Sequence, residues 1–435
     1  MKENKLNVKL TLLLSFGFFA SSIAWSVYNA YVPPILEGFV KAFDFNFLGK
    51  VITIGATMQI GVIMTIDNIF GVIFQPLFGT LSDKTRTRFG RRLPYIFIGL
   101  PICAAAFVLI PFMGSLWSLM IIIIVFTFVM SAWRSPVVAL MPDLTPGHLR
   151  SQANGIVNLM GGVGSVLAFA AGGMLFNFWL GKTGNGYPLP FMMSSVMMLL
   201  ALVVLAVFMR EPKQAYEPEA KAVKTKVVLS KAEKKSLVLI LIGIFFWFTG
   251  YNAVETFFTL YATNTLSMTA GTASMTLAIF SLTFLGFAVP AGFIGAKIGR
   301  RRAILIGLTG LTLLFLPMIF FANVWMVRVC LFFGGFFWAF VNINSLPMVV
   351  RLSGESKIGT FVGYYYFFSF SSQIISPILF GFIRDQAGHY KVLFLYSCIA
   401  FALAMVSLFF VKHGEDSTTE PEKTSASEAL GALED

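Results

Sequence analysis

Four ionisable side chains lie inside long apolar stretches of this 435-residue chain. They are Glu37, Asp67, Arg134 and Glu255. An ionisable group in the apolar part of a membrane helix costs at least ~2.5 kcal/mol, so each one needs a physical reason. Glu37 lies at the end of its stretch and is interpreted as an interfacial residue. The other three are the candidates for chemistry.

Asp67 lies near the middle of the second apolar stretch, between Ile66 and Asn68. A carboxylate removed from water can take up and release a proton, or bind a cation, as its surroundings change. We therefore predict that Asp67 binds a coupling ion. A structural ion pair is the alternative.

Arg134 follows Trp133 and precedes Pro136 in the fourth stretch. Its guanidinium presents a fork of donors that suits sugar hydroxyls or a carboxylate, and the indole of Trp133 offers a flat face for a sugar ring. We predict that both side chains contact a substrate. The alternatives are an arginine that extends to the membrane surface and one that pairs permanently with Asp143.

The tripeptide Tyr-Asn-Ala occurs twice, at residues 28–30 and 251–253. Amide side chains suit the hydroxyl pattern of a sugar, and they equally suit hydrogen bonding between helices. Glu255 follows Tyr251 by four residues, so both lie on one helical face. Glu255 is interpreted as a substrate contact, a second proton site or a solvated carboxylate. The predicted substrate contacts from these two segments are Tyr28, Asn29, Tyr251, Asn252 and Glu255.

The stretches that must position these residues are long enough to cross a bilayer. The chain is 57% hydrophobic and 12% charged, with a mean hydropathy of +0.81, unlike a soluble domain. A bilayer core about 30 Å thick needs roughly 20 apolar residues per helix. The polar breaks predict spans at 10–36, 52–78, 94–112, 117–141, 153–178, 189–209, 237–261, 273–295, 303–322, 326–350, 358–383 and 390–411.

The predicted fold is an all-α membrane protein of twelve helices in two similar six-helix halves. The halves are assigned to residues 1–209 and 236–412. A polar, largely basic stretch at 210–235 is interpreted as a cytoplasmic linker, and the Glu-, Ser- and Thr-rich segment 413–435 as a disordered acidic tail.

The basic residues predict the orientation of the chain. Most of them fall in loops on one side, so the positive-inside rule places both termini in the cytoplasm. We expect the protein to reside in the plasma membrane. The net charge of +12 would also suit a nucleic-acid binder, but these charges sit at helix ends, where they contact anionic lipid. We expect lipid, and not nucleic acid, as the partner, and we expect a monomer.

The loop after the second span reads GTLSDKTRTRFGRRLPYIFIG and carries Asp83, Arg91 and Arg92. With Gly79 and Gly90, it resembles the signature between helices two and three of the major facilitator superfamily. Charge-assisted contacts in such a loop can lock one face of a transporter. The resemblance implies an inner gate, to which we assign Asp83, Arg91, Arg92, Asp143 and Arg150. The corresponding loop after the eighth span has Lys297 where an Asp is expected.

Further segments resemble a narrower group within that superfamily. They are the insert KTRTRF, the pair Asp67-Asn68, residues 141–155 and residues 343–381. They are similar to the glycoside-pentoside-hexuronide cation symporters and, more closely, to the sucrose-type transporters. The resemblance implies cation-coupled uptake of a sugar, often a disaccharide such as sucrose or maltose.

The fourth span departs from the sodium-coupled members of that group, which carry acidic residues in both the second and the fourth helix. Here Arg134 lies at depth and Asp143 only at the inner end. The departure favours a proton as coupling ion over sodium, which stays open. No other cofactor and no metal is expected.

Three other readings compete with sugar symport. An uncoupled facilitator or an exporter of a small polar solute differs in whether transport runs uphill or outward. A membrane sensor would carry an added soluble domain, and no segment suggests one. An enzyme is disfavoured because the sequence shows no phosphate-binding glycine loop, no metal-ligand spacing and no nucleophile pair. Cys103, Cys330 and Cys398 lie in spans without paired spacing and predict neither a disulfide nor a metal site.

Overall fold

The computed structural model of the protein describes residues 6–47, 50–146, 149–211, 230–352 and 358–411. Within these residues, twelve spans are long and apolar enough to cross a membrane. The predicted all-α membrane fold with twelve spans is therefore confirmed. Residues 212–229 of the predicted linker and the whole predicted tail, 413–435, lie outside the described residues.

The first half of the chain forms α1 (Val8–Glu37), β1 (Phe43–Phe47), β2 (Lys50–Ile54), α2 (Ala56–Met64), α3 (Ile66–Lys84), α4 (Leu93–Leu109), α5 (Leu116–Leu144), α6 (Arg150–Thr183) and α7 (Pro188–Phe208). The second half forms α8 (Lys231–Leu266), α9 (Ala270–Ile298), α10 (Arg300–Phe320), α11 (Val324–Arg351), α12 (Ile358–Ala387) and α13 (Val392–Phe409). A 3-10 turn at Ile110–Phe112 extends α4.

The second span is interrupted in its middle, where α2 ends and α3 begins. The Thr65 N–H donates to the Val62 carbonyl, and the Thr65 hydroxyl donates to the same carbonyl over 2.7 Å, which tightens this turn. Asp67 consequently lies in the first turn of α3. A carboxylate is favourable there because unpaired backbone N–H groups give a helix N-terminus a partial positive charge.

A β-hairpin between the first and second spans was not predicted. Strands β1 and β2 pair antiparallel, with Phe43 opposite Ile54 and Phe47 opposite Lys50. The predicted start of the second span at residue 52 is wrong, because the apolar residues that suggested a helix form β2. Hydropathy alone does not separate a short apolar strand from the beginning of a helix.

Because the spans alternate in direction, α1 begins and α13 ends on the same side of the molecule. We call that side the terminal face and the opposite side the far face. Exposed indoles occupy the second position of both α5 and α11, at Trp117 and Trp325. Both helices start at the far face, and tryptophan is the residue expected at a membrane–water boundary.

Helices α1 to α7 pack mainly on one another, except that α2 packs mainly on α12, and helices α8 to α13 also pack mainly on one another. Among the described residues, the two groups meet mainly where α6 packs on α9, α2 on α12 and α1 on α8, with smaller contacts of α1 with α9 and of α3 with α12. Asn29 lies on α1 and Glu255 on α8, so two of the predicted site residues lie on helices that meet between the halves.

Candidate functional site

Two carboxylates and one guanidinium lie together midway through the membrane-spanning helices. Asp67 of α3 interacts electrostatically with Glu255 of α8 and with Arg134 of α5. All three side chains are only partly exposed. The Asn68 amide donates a hydrogen bond to Asp67 Oδ1 over 3.0 Å. The structure thus places three of the predicted site residues, from both halves of the chain, in one cluster, which we call the central cluster.

Among the described residues, an asparagine amide joins the two halves at this level. Asn29 Nδ2 of α1 donates a hydrogen bond to Glu255 Oε1 of α8 over 3.3 Å. Each carboxylate of the central cluster therefore accepts a hydrogen bond from an asparagine, and in the case of Glu255 that asparagine belongs to the opposite half.

Arg134 is the one cation of the central cluster. Within the described residues it forms no ion pair with a nitrogen–oxygen distance of 4.0 Å or less, and its electrostatic partners are Asp67 and Tyr366. The alternative of a permanent pair with Asp143 is wrong, because that carboxylate is held by Arg91 and Arg92. The guanidinium donors of Arg134 are consequently available to a ligand.

Aromatic rings surround the central cluster. Tyr28 is fully buried, stacks on Phe126 with centroids 5.6 Å apart, and interacts electrostatically with Asp67. Its buried hydroxyl has no hydrogen-bond partner among the described residues. On the other side, Tyr251 interacts electrostatically with Glu255 and stacks on Trp338 at 4.2 Å with an angle of only 3° between the rings. Stacking of this kind fixes the orientation of a ring.

Sequence reasoning missed Trp338 and did not single out Tyr366. Trp338 lies in α11 and is 3% exposed, whereas Tyr366 of α12 is 47% exposed beside Arg134. The run of three tyrosines at 364–366 was a signal for the second residue, but helical phase alone does not say which of the three faces the centre. No pattern in the sequence distinguished Trp338 from the other aromatic residues.

Asn252 and Trp133 do not join the central cluster. The Asn252 amide is buried and donates to Ser372 Oγ over 3.2 Å, which ties α8 to α12 within one half. Trp133 has no exposed surface and packs against Gly99 of α4. Both predictions of a substrate contact are corrected for the same reason: successive residues of a helix point about 100° apart, so the neighbours Tyr251 and Arg134 take the central direction.

A second polar network lies at the terminal face, where α3, α4 and α5 meet. Arg92 forms ion pairs with Asp83 and, over 2.9 Å, with Asp143. Arg91 binds the other oxygen of Asp143 over 2.6 Å. Of the five residues predicted as an inner gate, four are therefore joined in one network, and these contacts lie inside the first half of the chain.

Arg150, the fifth, takes no part in those ion pairs. It donates to the carbonyls of Pro142 and Thr145, over 3.1 and 3.3 Å, and so closes the turn between α5 and α6. The corresponding loop of the second half is built differently. Lys297 is exposed, and Arg301 donates to the carbonyls of Leu408 and Phe409 at the end of α13.

Glu211, which the sequence did not single out, holds the first turn of α4. Its carboxylate accepts hydrogen bonds from the backbone N–H groups of Arg91, Arg92 and Leu93. Burial raises the pKa of the Glu211 carboxyl above its ordinary value, and the three N–H donors oppose that rise. The residue follows α7 and had been assigned to the linker, where nothing in the local sequence indicated a contact.

The hydrogen bonds that the structure describes between the two halves lie at the central cluster or nearer the far face. Asn264 of α8 and Tyr390 donate to Glu37 of α1, over 3.0 and 3.1 Å. Ser274 of α9 donates to the Phe169 carbonyl of α6 over 3.0 Å. The conformation is therefore closed on the far-face side of the central cluster.

The sequence model of the Major Facilitator Superfamily matches residues 14–269 and 261–433. The chain belongs to the Major Facilitator Superfamily. It is accordingly a multi-pass membrane transporter and not an enzyme.

Two relatives of the chain are named as resistance proteins. The chain is 24% identical to the tetracycline resistance protein, class H, of Pasteurella multocida, over 87% of this chain and 90% of that protein. It is also 24% identical to the multidrug resistance protein MdtG of Proteus mirabilis, but it matches only 50% of that protein's length and 46% of its own.

Solved structures share the superfamily fold. A bacterial homologue of the human lysosomal transporter Spinster, in an inward-facing and unoccupied conformation, has a TM-score of 0.67 at 16% identity and is covered over 94% of its length by 93% of this chain. The nucleoside transporter NupG has a TM-score of 0.66 at 12% identity, covering 92% of this chain and 98% of that one. At these identities the likeness concerns the fold. The superfamily resemblance is confirmed, and the narrower resemblance to sugar symporters receives no support from these relatives.

Proposed function

We propose that the protein is a proton-coupled symporter that takes up a sugar, such as the disaccharides sucrose or maltose, by alternating access of its two halves. The observation that carries the proposal is Arg134, a guanidinium midway through the membrane without an ion-pair partner within 4.0 Å among the described residues. Its electrostatic partners are Asp67 and Tyr366. A cation within the apolar part of a membrane span needs a ligand or a partner that changes between states.

Asp67 is the coupling residue in this proposal. Its negative charge attracts Arg134 while no proton is bound, because the two side chains interact electrostatically. A proton on Asp67 removes that attraction and leaves the Arg134 donors for sugar hydroxyls. Sugar and proton consequently favour each other's binding, which is what coupled transport requires.

The other substrate contacts are proposed from the same cluster. Tyr251 offers an aromatic ring and a hydroxyl, and Asn29 and Glu255 offer a donor and an acceptor across the two halves. Tyr28 has no exposed surface in this conformation, so the prediction that it contacts the substrate is corrected in the same way as that for Trp133. A proton suits this site better than sodium, because each carboxylate already accepts an amide hydrogen bond and sodium would need several oxygen ligands. The cluster is complete within one chain, which supports a monomer as the working unit.

The orientation follows from the basic loops. The positive-inside rule assigns the terminal face to the cytoplasm of the plasma membrane, and the far face to the outside. The conformation described is then inward-facing, since its cross-half contacts lie toward the outside. Asp83, Arg91, Arg92 and Asp143 hold the inner ends of α3, α4 and α5 as one unit, and we propose that this unit forms the first half's side of an inner gate.

Export of a drug-like solute is the second candidate. Its support is the likeness to a tetracycline resistance protein over 87% of this chain. An exporter would use the same carboxylates, with a proton entering as the solute leaves. The direction of solute movement relative to the proton gradient separates the two functions.

The experiment is transport into proteoliposomes that contain the purified protein. Sucrose, maltose and tetracycline are each offered with an inward proton gradient, an inward sodium gradient, or neither. Accumulation of a sugar with the proton gradient alone supports the symporter. Proton-driven exclusion of tetracycline, without sugar movement, would instead establish the exporter, and equilibration without accumulation would establish a facilitator.

A further inference from the structure

Two helices that begin at the far face are each held there by a side chain of the opposite half. The first is α2. Asp385, near the end of α12, accepts hydrogen bonds from the backbone N–H groups of Thr57 and Met58, over 3.2 and 2.8 Å. These groups belong to the first turn of α2, whose own N-cap residue, Gly55, has no side chain to satisfy them.

The second helix is α9. Its N-cap residue Thr269 accepts a hydrogen bond from the Thr272 N–H over 3.1 Å. Asn177 of α6 holds this cap from the other half: its Oδ1 accepts from the Thr269 hydroxyl over 2.6 Å, and its Nδ2 donates to the Thr272 hydroxyl over 3.3 Å. At α9 the opposite half therefore binds the side chains of the cap, whereas at α2 it binds the backbone N–H groups directly.

The two contacts are related by the internal repeat. Helices α2 and α9 begin the second and eighth spans, and α6 and α12 are the fifth and eleventh. Each half thus holds the start of the other half's second helix by a residue near the end of its own fifth. The backbones also approach closely at both places, since Gly381 lies against Thr57 and Met58, and Gly173 lies against Gly271, with no room for a Cβ atom.

We propose that Asp385 and Asn177 are a pair of cross-half helix caps that hold the far face closed and set how often it opens. Opening the far face must separate α2 from α12 and α6 from α9, which exposes the N–H groups and hydroxyls that the caps satisfy. Asp385 is the stronger cap, because a carboxylate also interacts with the positive end of the α2 dipole. Asn177, a neutral amide, acts through hydrogen bonds alone.

The neighbours of Asp385 reinforce its placement. Arg384 donates to Asp385 over 3.2 Å, and its guanidinium lies 4.2 Å above the ring centroid of Tyr390. The hydroxyl of Tyr390 in turn donates to Glu37 of the first half. A chain of polar contacts therefore runs from the α2 cap to the end of α1.

This proposal shares only alternating access with the proposed function, and it can be tested without any substrate. Spin labels are attached to Gly181→Cys in the first half and Ala322→Cys in the second, with Cys103, Cys330 and Cys398 replaced by alanine. Both positions are exposed at the far face, and a side chain at Gly181 meets open space. Double electron–electron resonance then reports the distance between the far-face ends of the two halves.

The caps are removed by Asp385→Asn, Asp385→Ala and Asn177→Ala. Loss of one helix cap is expected to raise the ratio of far-open to far-closed molecules by roughly three- to thirtyfold. Asp385→Asn preserves the size and one acceptor oxygen, so it isolates the charge and avoids the risk of misfolding. The fraction of far-open molecules is expected to be larger with Asp385→Ala than with Asp385→Asn, and largest in the double variant Asp385→Ala/Asn177→Ala.

The matched control is Asp44→Asn. Asp44 is another far-face carboxylate, but its hydrogen bond, from Thr53 over 2.7 Å, stays within the β-hairpin. Its replacement is expected to leave the distance distribution unchanged. Unchanged distributions in both the Asp385 and the Asn177 variants, or shifts no larger than that of the control, would overturn the proposal while leaving the transport assignment untouched.

Discussion

Asn29 donates a hydrogen bond to Glu255 over 3.3 Å, although 226 residues separate them in the chain. The two residues lie on α1 and α8, the first helices of the two halves. Their contact is next to the carboxylate of Asp67, which interacts electrostatically with Glu255. The carboxylate of Asp67 therefore interacts with a residue whose hydrogen bond to Asn29 can form only while the two halves are close.

The first prediction concerns that bond. Asn29→Ala and Glu255→Gln are each expected to slow proton-driven transport, because each removes one partner of the link. If the residues act through the link, the double variant will be about as slow as the slower single variant, with a coupling energy of roughly 0.5–3 kcal/mol. Initial rates of the four proteins in proteoliposomes measure this, and purely additive losses would show that the residues act independently.

Asp67→Asn tests the coupling residue. The amide keeps the size of the side chain but cannot bind and release a proton, so uphill accumulation should fall to a ratio of about 1, while downhill exchange of substrate continues. Accumulation and counterflow, measured on the same liposomes, distinguish these two activities. Asp44→Asn again serves as the control, and accumulation by Asp67→Asn equal to that of the starting protein would remove Asp67 from the mechanism.

Arg134 is tested with two replacements. Arg134→Lys keeps the charge but loses the planar fork of donors, whereas Arg134→Gln loses the charge. We expect the KM for substrate to rise by roughly tenfold with lysine and further with glutamine, because bidentate contacts are not reproduced by an ammonium group. Concentration-dependent uptake gives the KM, and an unchanged KM in both variants would assign Arg134 a structural role only.

Asn252→Ala separates a structural amide from a functional one. The residue is buried and its amide donates to Ser372, so its loss should lower the free energy of unfolding by about 1 kcal/mol and leave the KM unchanged. Thermal unfolding in detergent and uptake kinetics measure the two quantities. A changed KM with unchanged stability would return Asn252 to the substrate site.

Glu211 gives a prediction about pH. Burial raises its pKa above the ordinary value of 4.5, so the folded protein binds this proton more tightly than the unfolded chain does. The resulting stabilisation is present below the ordinary pKa and is lost as the pH rises through the higher pKa of the folded protein. Glu211→Gln stays neutral at every pH and lacks this dependence.

The measurement compares the melting temperatures of the starting protein and of Glu211→Gln at pH values from below 4.5 upward. The melting temperature of the starting protein minus that of Glu211→Gln should decrease as the pH rises above about 4.5 and should then level off. A difference that increases with pH would mean that the three backbone N–H donors stabilise the ionised carboxylate more than burial disfavours it.

Local features of the sequence were enough to predict a membrane protein, its twelve spans and its superfamily. These predictions depend on apolar stretches of a length fixed by the bilayer and on a loop signature, both of which are local in the chain. The sequence also identified Asp67, Arg134 and Glu255, because a charged residue in an apolar stretch is conspicuous wherever the helices pack. The β-hairpin was not predicted, because the apolar residues of β2 resemble the start of a membrane-spanning helix.

The packing of the helices determines which neighbours of those residues face the central cluster. Tyr251 and Asn252 are adjacent, yet one stacks on Trp338 beside Glu255 and the other binds Ser372. Which face of a helix contacts its neighbour depends on packing between segments that are distant in the sequence. The local sequence pattern does not specify that packing. For the same reason the contacts of Glu211, Asp385 and Asn177 could not be predicted, because each binds groups from a segment that is distant in the sequence.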